Sequence, residues 1–302
     1  MTFQTDLDIA DHANDGLTPA DHATLAAAVE TLERPSLPGR IAVLVGHQFD
    51  TAEQFIPDAV ISAANKAASA ALRVALKAAV ATLPKAGKEH SSRFHTALAA
   101  LSGAAGGAFG LATLPVELPL STTIILRSIA DIARSEGENL EDTAAALACL
   151  EVFALGGGRE AGPASNSGYL AVRAILAKSV QQATRVMLQR GLADEAAPAL
   201  VRFIGQIVAR FSVAVSQKIM AQAVPLVGAV AGAAINAAFT EHYQSLARAH
   251  FQVRRLERTY GISAVRREYE RILQSMEARD PAGTDARRPS PSERAVEASP
   301  VS

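Results

Sequence analysis

Two stretches of this chain, residues 96–116 and 219–240, carry no charged side chain at all. The first holds Gly103, Gly106, Gly107 and Gly110, two overlapping glycine pairs four residues apart, and ends near Pro115. The second holds Gly228 and Gly232, again four apart, and Pro225. Segments of this length without charge must be covered by protein or by lipid, and about 20 apolar residues suffice to cross a bilayer. Both are dominated by alanine and glycine, so their drive into lipid is weak beside that of a leucine-rich span. Each glycine inside a helix also costs about 1 kcal/mol relative to alanine. Close helix–helix packing offsets that cost, in a protein core or in a membrane. Two readings therefore stand: a tightly packed helical core, or a hairpin that lies on or inserts into a membrane.

The rest of the chain is periodic at the helical repeat. Leu25, Ala28, Val29 and Leu32 form one stripe, preceded by Thr18-Pro19-Ala20-Asp21, a capping residue, a first-turn proline and an acid at the positive helix end. Residues 58–83 place Ile61, Ala64, Ala68, Leu72, Ala75, Ala79 and Leu83 on one side and Lys66, Arg73 and Lys77 on the other. Helices are expected over 120–136 and 141–155, parted by Gly137, then over 169–190, ended by Gly191, and over 196–219, with Leu200, Ile204, Ile207, Phe211 and Val215 inward. A shorter helical piece is expected over 39–55. From 237 onward the pattern runs to Gly261 and resumes from Val265 to Met276. No stretch alternates with period two, so no sheet is expected. The fold class is all-α: a single Ala/Gly-rich multi-helix bundle with close-packed, glycine-containing helical hairpins. Residues 1–17 read as a flexible acidic N-terminus, 18–277 as the helical domain, and 278–302, with four prolines and little apolar content, as a disordered tail.

Composition narrows the function classes. Residues 1–33 contain seven acids and neither Lys nor Arg, which fits no secretory or transit peptide. The formal net charge is −1, so no global field draws the chain to nucleic acid. Cys149 is the single cysteine; it forms no internal disulfide, and its apolar helical surroundings mark an inert core thiol in a reducing, cytoplasmic setting. The seven histidines lack metal-ligand spacing: His90 and His95 are five apart, and Glu241-His242 and His250 fit no ligand set. Gly156–Gly158 is not followed by the Lys-Ser/Thr of a phosphate loop, and no Gly-x-Ser-x-Gly elbow occurs. No metal and no cofactor is expected.

The polar residues that stand out are Arg127, Asp131 and Arg134, one helix face at steps of four and three. With Glu117 or Glu151 they could form a buried network that grips an anionic headgroup or phosphate; the bland alternative is a salt-bridged face or an internal strut. Glu117 lies between Pro115 and Pro119, which predicts an irregular backbone and a capping role for its carboxylate. Arg248, Arg254, Arg255, Arg258, Arg266 and Arg267 make the C-terminal helices locally basic, though Glu257, Glu268 and Glu270 are interspersed. That face is either solvated or a contact for anionic lipid or an acidic partner.

One run is specific enough to suggest a relative. Gly106-Gly107-Ala108-Phe109-Gly110-Leu111, then Leu114-Pro115-Val116-Glu117-Leu118-Pro119, then the stretch from Thr122 to Arg134 strongly resemble the EcsC family. The likeness continues through Leu147 to Gly157, at Gly168-Tyr169, through Ala223 to Gly228 and at Val253 to Glu257, about 60–275 in all. That family is named for a bacterial protein encoded beside the ATPase and membrane subunits of an ABC transporter. The resemblance implies a helical architecture and an association with transport, and it carries no catalytic residues. The expected function is non-enzymatic: a helical protein at the cytoplasmic membrane face, partnered by membrane lipid or a transporter subunit. The alternative is a soluble carrier of a lipid or other apolar small molecule, and third a hydrolase built on Glu117, Asp131 or Glu151.

The tail composition cannot bury enough surface to offset ordering entropy of about 1–2 kcal/mol per residue. Limited proteolysis is expected to cut after about residue 278 and near Gly156–Ser167. A tail that stays protected, or a truncation at 278 that lowers the melting temperature by many degrees, would contradict this.

Overall fold

The computed structural model describes residues 16–34, 37, 58–82, 96–97, 99–100, 114–156, 167–190, 197–223 and 229–279. The expected helical piece at 39–55, the loop beyond Gly156, Gly191, the tail beyond Arg279, and Gly103, Gly106, Gly107, Gly110, Pro225 and Gly228 lie outside the described residues. Among the described residues there are eight helices and no strand: α1 (Pro19–Glu33), α2 (Asp58–Thr82), α3 (Leu114–Ser135), α4 (Thr143–Leu155), α5 (Gly168–Arg190), α6 (Pro198–Ala223), α7 (Ala229–Tyr260) and α8 (Ile262–Arg279).

The local rules place the helix ends. Thr18 Oγ1 accepts from the Asp21 amide at 3.2 Å, with Pro19 opening α1 as the first-turn proline. Gly137 (φ +82°) closes α3: its amide bonds Arg134 O at 2.9 Å and the Glu138 amide bonds Ala133 O at 2.9 Å, a turn that needs a left-handed residue. Asp142 then caps α4, accepting from the Ala144 amide at 3.0 Å. Gly261 (φ +84°) separates α7 from α8.

α4 is the central helix. Every residue from Ala145 to Leu155 is buried, and Glu151 is its one charged side chain. A helix that is apolar all round belongs inside. Around it α2 packs on α6 and α3, α5 on α4 and α6, and α7 on α1, α3 and α8. α3 and α7 run parallel, because Glu117 meets Asn236, Ser128 meets Gln244 and Glu138 meets Arg254 in ascending order. The interior between α4, α6 and α7 is filled by Phe153, Phe211, Phe239 and Tyr243, whose ring centroids stand 5.0–6.2 Å apart. Cys149 lies fully inside, and burial pushes its thiol up to about 12.

α3 departs from expectation. It begins at Leu114, not near 120, so Glu117 stands in a regular first turn and not in a broken backbone. Pro115 falls in that turn, where amides have no intrahelical acceptor to lose, and only Pro119 interrupts the ladder. Burial of Leu118, Ser121 and Thr122 and the tie made by the Glu117 side chain hold these turns in place.

A Cβ at Gly156 would fall 2.5 Å from the Tyr243 hydroxyl and 2.7 Å from its ring. Gly156→Ala is therefore expected to destabilise by about 1–3 kcal/mol through overpacking. The Tyr243 hydroxyl is buried without a hydrogen-bond partner, a state that costs roughly 1–3 kcal/mol. Tyr243→Phe should melt at or above the wild-type temperature; a clear loss in Tyr243→Phe, or neutral melting of Gly156→Ala, would show that the packing around Tyr243 is not as described.

Candidate functional site

Lys218 occupies the inward stripe of α6, seven residues after Phe211 and three after Val215. Its side chain is 0% exposed. An ammonium group taken that far from water requires a counter-charge, and Glu117 of α3, 5% exposed, supplies it at 2.7 Å. The same carboxylate oxygen accepts from Asn236 Nδ2 of α7 at 2.8 Å, and that amide also donates to the Ala99 carbonyl at 3.1 Å. The Phe239 ring lies 5.1 Å from the Lys218 nitrogen and covers it. Burial draws the Lys218 ammonium below its ordinary range, and the Glu117 charge and hydrogen bond oppose that shift.

This knot has a particular address. Glu117 is the first charged residue after the uncharged stretch 96–116, and Lys218 is the last before 219–240. Ala99 lies inside the first stretch and Asn236 inside the second. The two segments that the sequence sets apart are thus joined at one point. Around it Val116 is 75% exposed, Val230 86% and Leu120 51%, so the end of the bundle that carries the knot presents apolar side chains outward. Gly232 is buried in α7.

A second polar region lies toward the other end of α7. Arg173 holds Glu257 through two hydrogen bonds of 2.7 and 2.9 Å. Arg254 holds Glu138 through two more of 2.8 and 3.0 Å, and Arg258 joins the same carboxylate. Tyr169 Oη lies 3.0 Å from His250 Nδ1 and stacks on Tyr269, which donates to Glu33 at 2.9 Å. Burial, reinforced by Arg173 and Arg254, holds His250 well below its ordinary range, so it is neutral. Glu151 faces the same arginines from α4; burial pushes its carboxyl up to about 7 against their charge.

The residues singled out from sequence do not form one network. Glu117 belongs to the Lys218 knot. Asp131 pairs with Arg134 at 2.8 Å within α3, and Arg127 is exposed. Glu151 looks toward Arg254 and Arg173. Glu117 and Asp131 are fourteen residues apart on one helix, about 21 Å, so the three carboxylates do not converge as a hydrolase would need. Lys218 and Asn236 were not singled out; the available signal was a lysine at a core position of the α6 stripe. Several arginines of the basic C-terminal stretch are paired with carboxylates: Arg254 and Arg258 with Glu138, Arg255 with Glu136, Arg266 with Glu270, Arg271 with Glu268. Among the described residues no group of three His, Cys, Asp or Glu side chains could hold a metal ion.

A carboxyl raised by burial favours folding when protonated. That contribution is full below its ordinary value near 4.5 and is lost as pH rises through about 7. Glu151→Gln should therefore gain on wild type between pH 5 and pH 8, by on the order of 3 kcal/mol. His250 works oppositely, its contribution fading as pH falls below about 6.5. Urea melts across this range test the point; a gap between the two proteins that does not change with pH would contradict it.

Against known proteins, a family model described as the EcsC protein family matches residues 11–256. Neither a curated protein nor a solved structure matches the chain.

Proposed function

This chain belongs to the EcsC family, and from that premise we propose that it works without catalysis at the cytoplasmic face of a membrane, docking through the apolar end of its bundle. The observation that carries this reading is the joining of both uncharged segments at Glu117, Lys218 and Asn236. It brings Ala99 and Asn236, one residue of each segment, to the same point, on helices whose Val116, Leu120 and Val230 are exposed.

The knot also limits depth. From Lys218 to the end of α6 at Ala223 is five residues, and from the start of α7 at Ala229 to Asn236 is seven. At 1.5 Å per residue these legs reach about 8–10 Å. The hydrocarbon core is about 30 Å thick, while an interfacial element is buried about 5–10 Å. Described legs this short support shallow insertion over spanning. One described helix, Pro198–Ala221, is long and apolar enough to cross a membrane, but half of its apolar window is buried inside the bundle.

Charge contributes little to this docking. Arg254 is 24 residues along α7 from Val230, about 36 Å, several times the roughly 8 Å screening length at physiological salt. The arginines at that end are also paired with carboxylates. The apolar end is thus a surface for lipid, or for the membrane subunit of a transporter, the partner class that the family resemblance implies.

Flotation with neutral phosphatidylcholine vesicles is the test. The full chain should float, release in carbonate, and bind with little change when anionic lipid or salt is added. Recovery wholly in the soluble fraction would overturn the membrane reading. Binding that requires anionic lipid would move the docking surface to the arginine end.

A further inference from the structure

We infer that the outer face of α2, α6 and α5 docks an acidic, amphipathic helix of a partner protein; this stands apart from the membrane reading above. The chain as a whole has a net charge of −1, but its charges are unevenly placed. α5 and α6 contain no Asp or Glu, and α2 contains one, Asp58, at its first residue. α6 packs against both α2 and α5, and α4 packs against all three. The exposed stripes of the three helices therefore look away from α4. Lys66 and Arg73 of α2, Lys178 and Arg185 of α5 and Arg202 of α6 are exposed, and among the described residues none of the five meets a carboxylate. Arg202 donates only to the neutral Gln182 Oε1, at 3.3 Å. The pairs on α2 and on α5 are each seven residues apart, about 10 Å, and packed helices stand about 8–10 Å from one another. Cations this close repel, and a row of carboxylates laid across them relieves that repulsion.

The same helices select the kind of partner. Val74, Ile175, Val201 and Val213 are 42–51% exposed on them. A phosphate backbone makes no use of these side chains, whereas a helix with acids flanking an apolar stripe uses them together with the cations. No aromatic ring is among the exposed large hydrophobic side chains of the described residues, so nucleic-acid bases have nothing to stack on. Gly205 lies in the interior of α6, on the outward stripe with Arg202 and Ala209. A glycine there weakens the helix relative to alanine. A Cβ at Gly205 would meet nothing within 4 Å, so no packing among the described residues accounts for it. It leaves a low point where a second helix can come close. The matching face of a second copy carries the same cations and is repelled. Lipid is also a poor fit. Arg202 is sixteen residues before Lys218, about 24 Å along α6. Gln206, which bonds Ser179 of α5, is twelve before it, about 18 Å. With the Lys218 end docked on a membrane, this part of the face remains in water.

The probe is a fluorescent amphipathic peptide of Glu, Ala and Leu, titrated against the full chain in the absence of lipid. A scrambled peptide of the same composition and a short DNA duplex are titrated beside it. The amphipathic peptide should bind severalfold tighter than the scrambled one and weaken as added salt shortens the screening length. The triple variant Lys178→Gln/Arg185→Gln/Arg202→Gln changes exposed side chains, so it should melt as wild type and bind about tenfold more weakly. Gly205→Leu should melt at or above wild type and also lose affinity, by filling the low point. No binding of the amphipathic peptide, equal binding of the scrambled one, or wild-type affinity in either variant would overturn the inference. Tighter binding of DNA that the triple variant loses would overturn it in favour of nucleic acid. A gain in vesicle binding when phosphatidylserine replaces phosphatidylcholine, lost in the triple variant, would overturn it in favour of lipid. The peptide titrations contain no membrane, so their failure leaves the membrane reading in place, and failure of flotation leaves this inference in place.

Discussion

A lysine in the core of a helical bundle dictates much of what surrounds it. Lys218 cannot give up water without a carboxylate, and its carboxylate lies 101 residues earlier in the chain, at 2.7 Å. Holding Glu117 there requires α3 to be helical from Leu114, through a turn that contains a proline. Holding the second hydrogen bond to that carboxylate requires Asn236, and with it the start of α7, to come alongside. Asn236 then reaches on to the Ala99 carbonyl. One ion pair thus sets the mutual position of three helices and the described ends of both uncharged segments. Its energetic value is register more than stability, since a buried pair roughly balances its own desolvation.

The remainder of the fold separates two kinds of end. Beyond the aromatic cluster of Phe153, Phe211, Phe239 and Tyr243, the far end of α7 is dense with arginine–carboxylate contacts, two of them bidentate. Those contacts tie Arg173 to Glu257, and Arg254 and Arg258 to Glu138. The knotted end has its charges inside and its valines and leucine outside. An end that presents apolar side chains, set apart from the arginine end by the length of α7, suits the shallow docking on lipid proposed above.

Much of the architecture was legible in the sequence because it rests on short-range rules. The inward stripes of α1 and α6, and Ala64, Ala68, Leu72 and Ala75 of α2, follow the helical repeat, and Thr18, Gly137 and Gly261 mark boundaries through capping and left-handed backbone. The site was less legible because it depends on partners distant in sequence. Two prolines flanking Glu117 suggested a broken backbone, yet first-turn amides need no acceptor, so helix was tolerated. Arg127, Asp131 and Arg134 drew attention by their spacing, and that spacing yielded a local pair between Asp131 and Arg134. Lys218 was readable in principle, as the one cation on the buried stripe of α6. Asn236, with Gln222 one of two amides in an uncharged stretch, was readable in the same way.

The central claim is that Glu117 and Lys218 depend on each other within the core. A double-mutant cycle measures that dependence directly: urea unfolding of the full chain, of Glu117→Leu, of Lys218→Met and of the double variant. Each single change should cost roughly 3–5 kcal/mol by stranding a buried charge, whereas the double variant should lie near wild type. Single changes that are small and additive would mean that the two side chains reach water independently, and would contradict the knot on which this account is built.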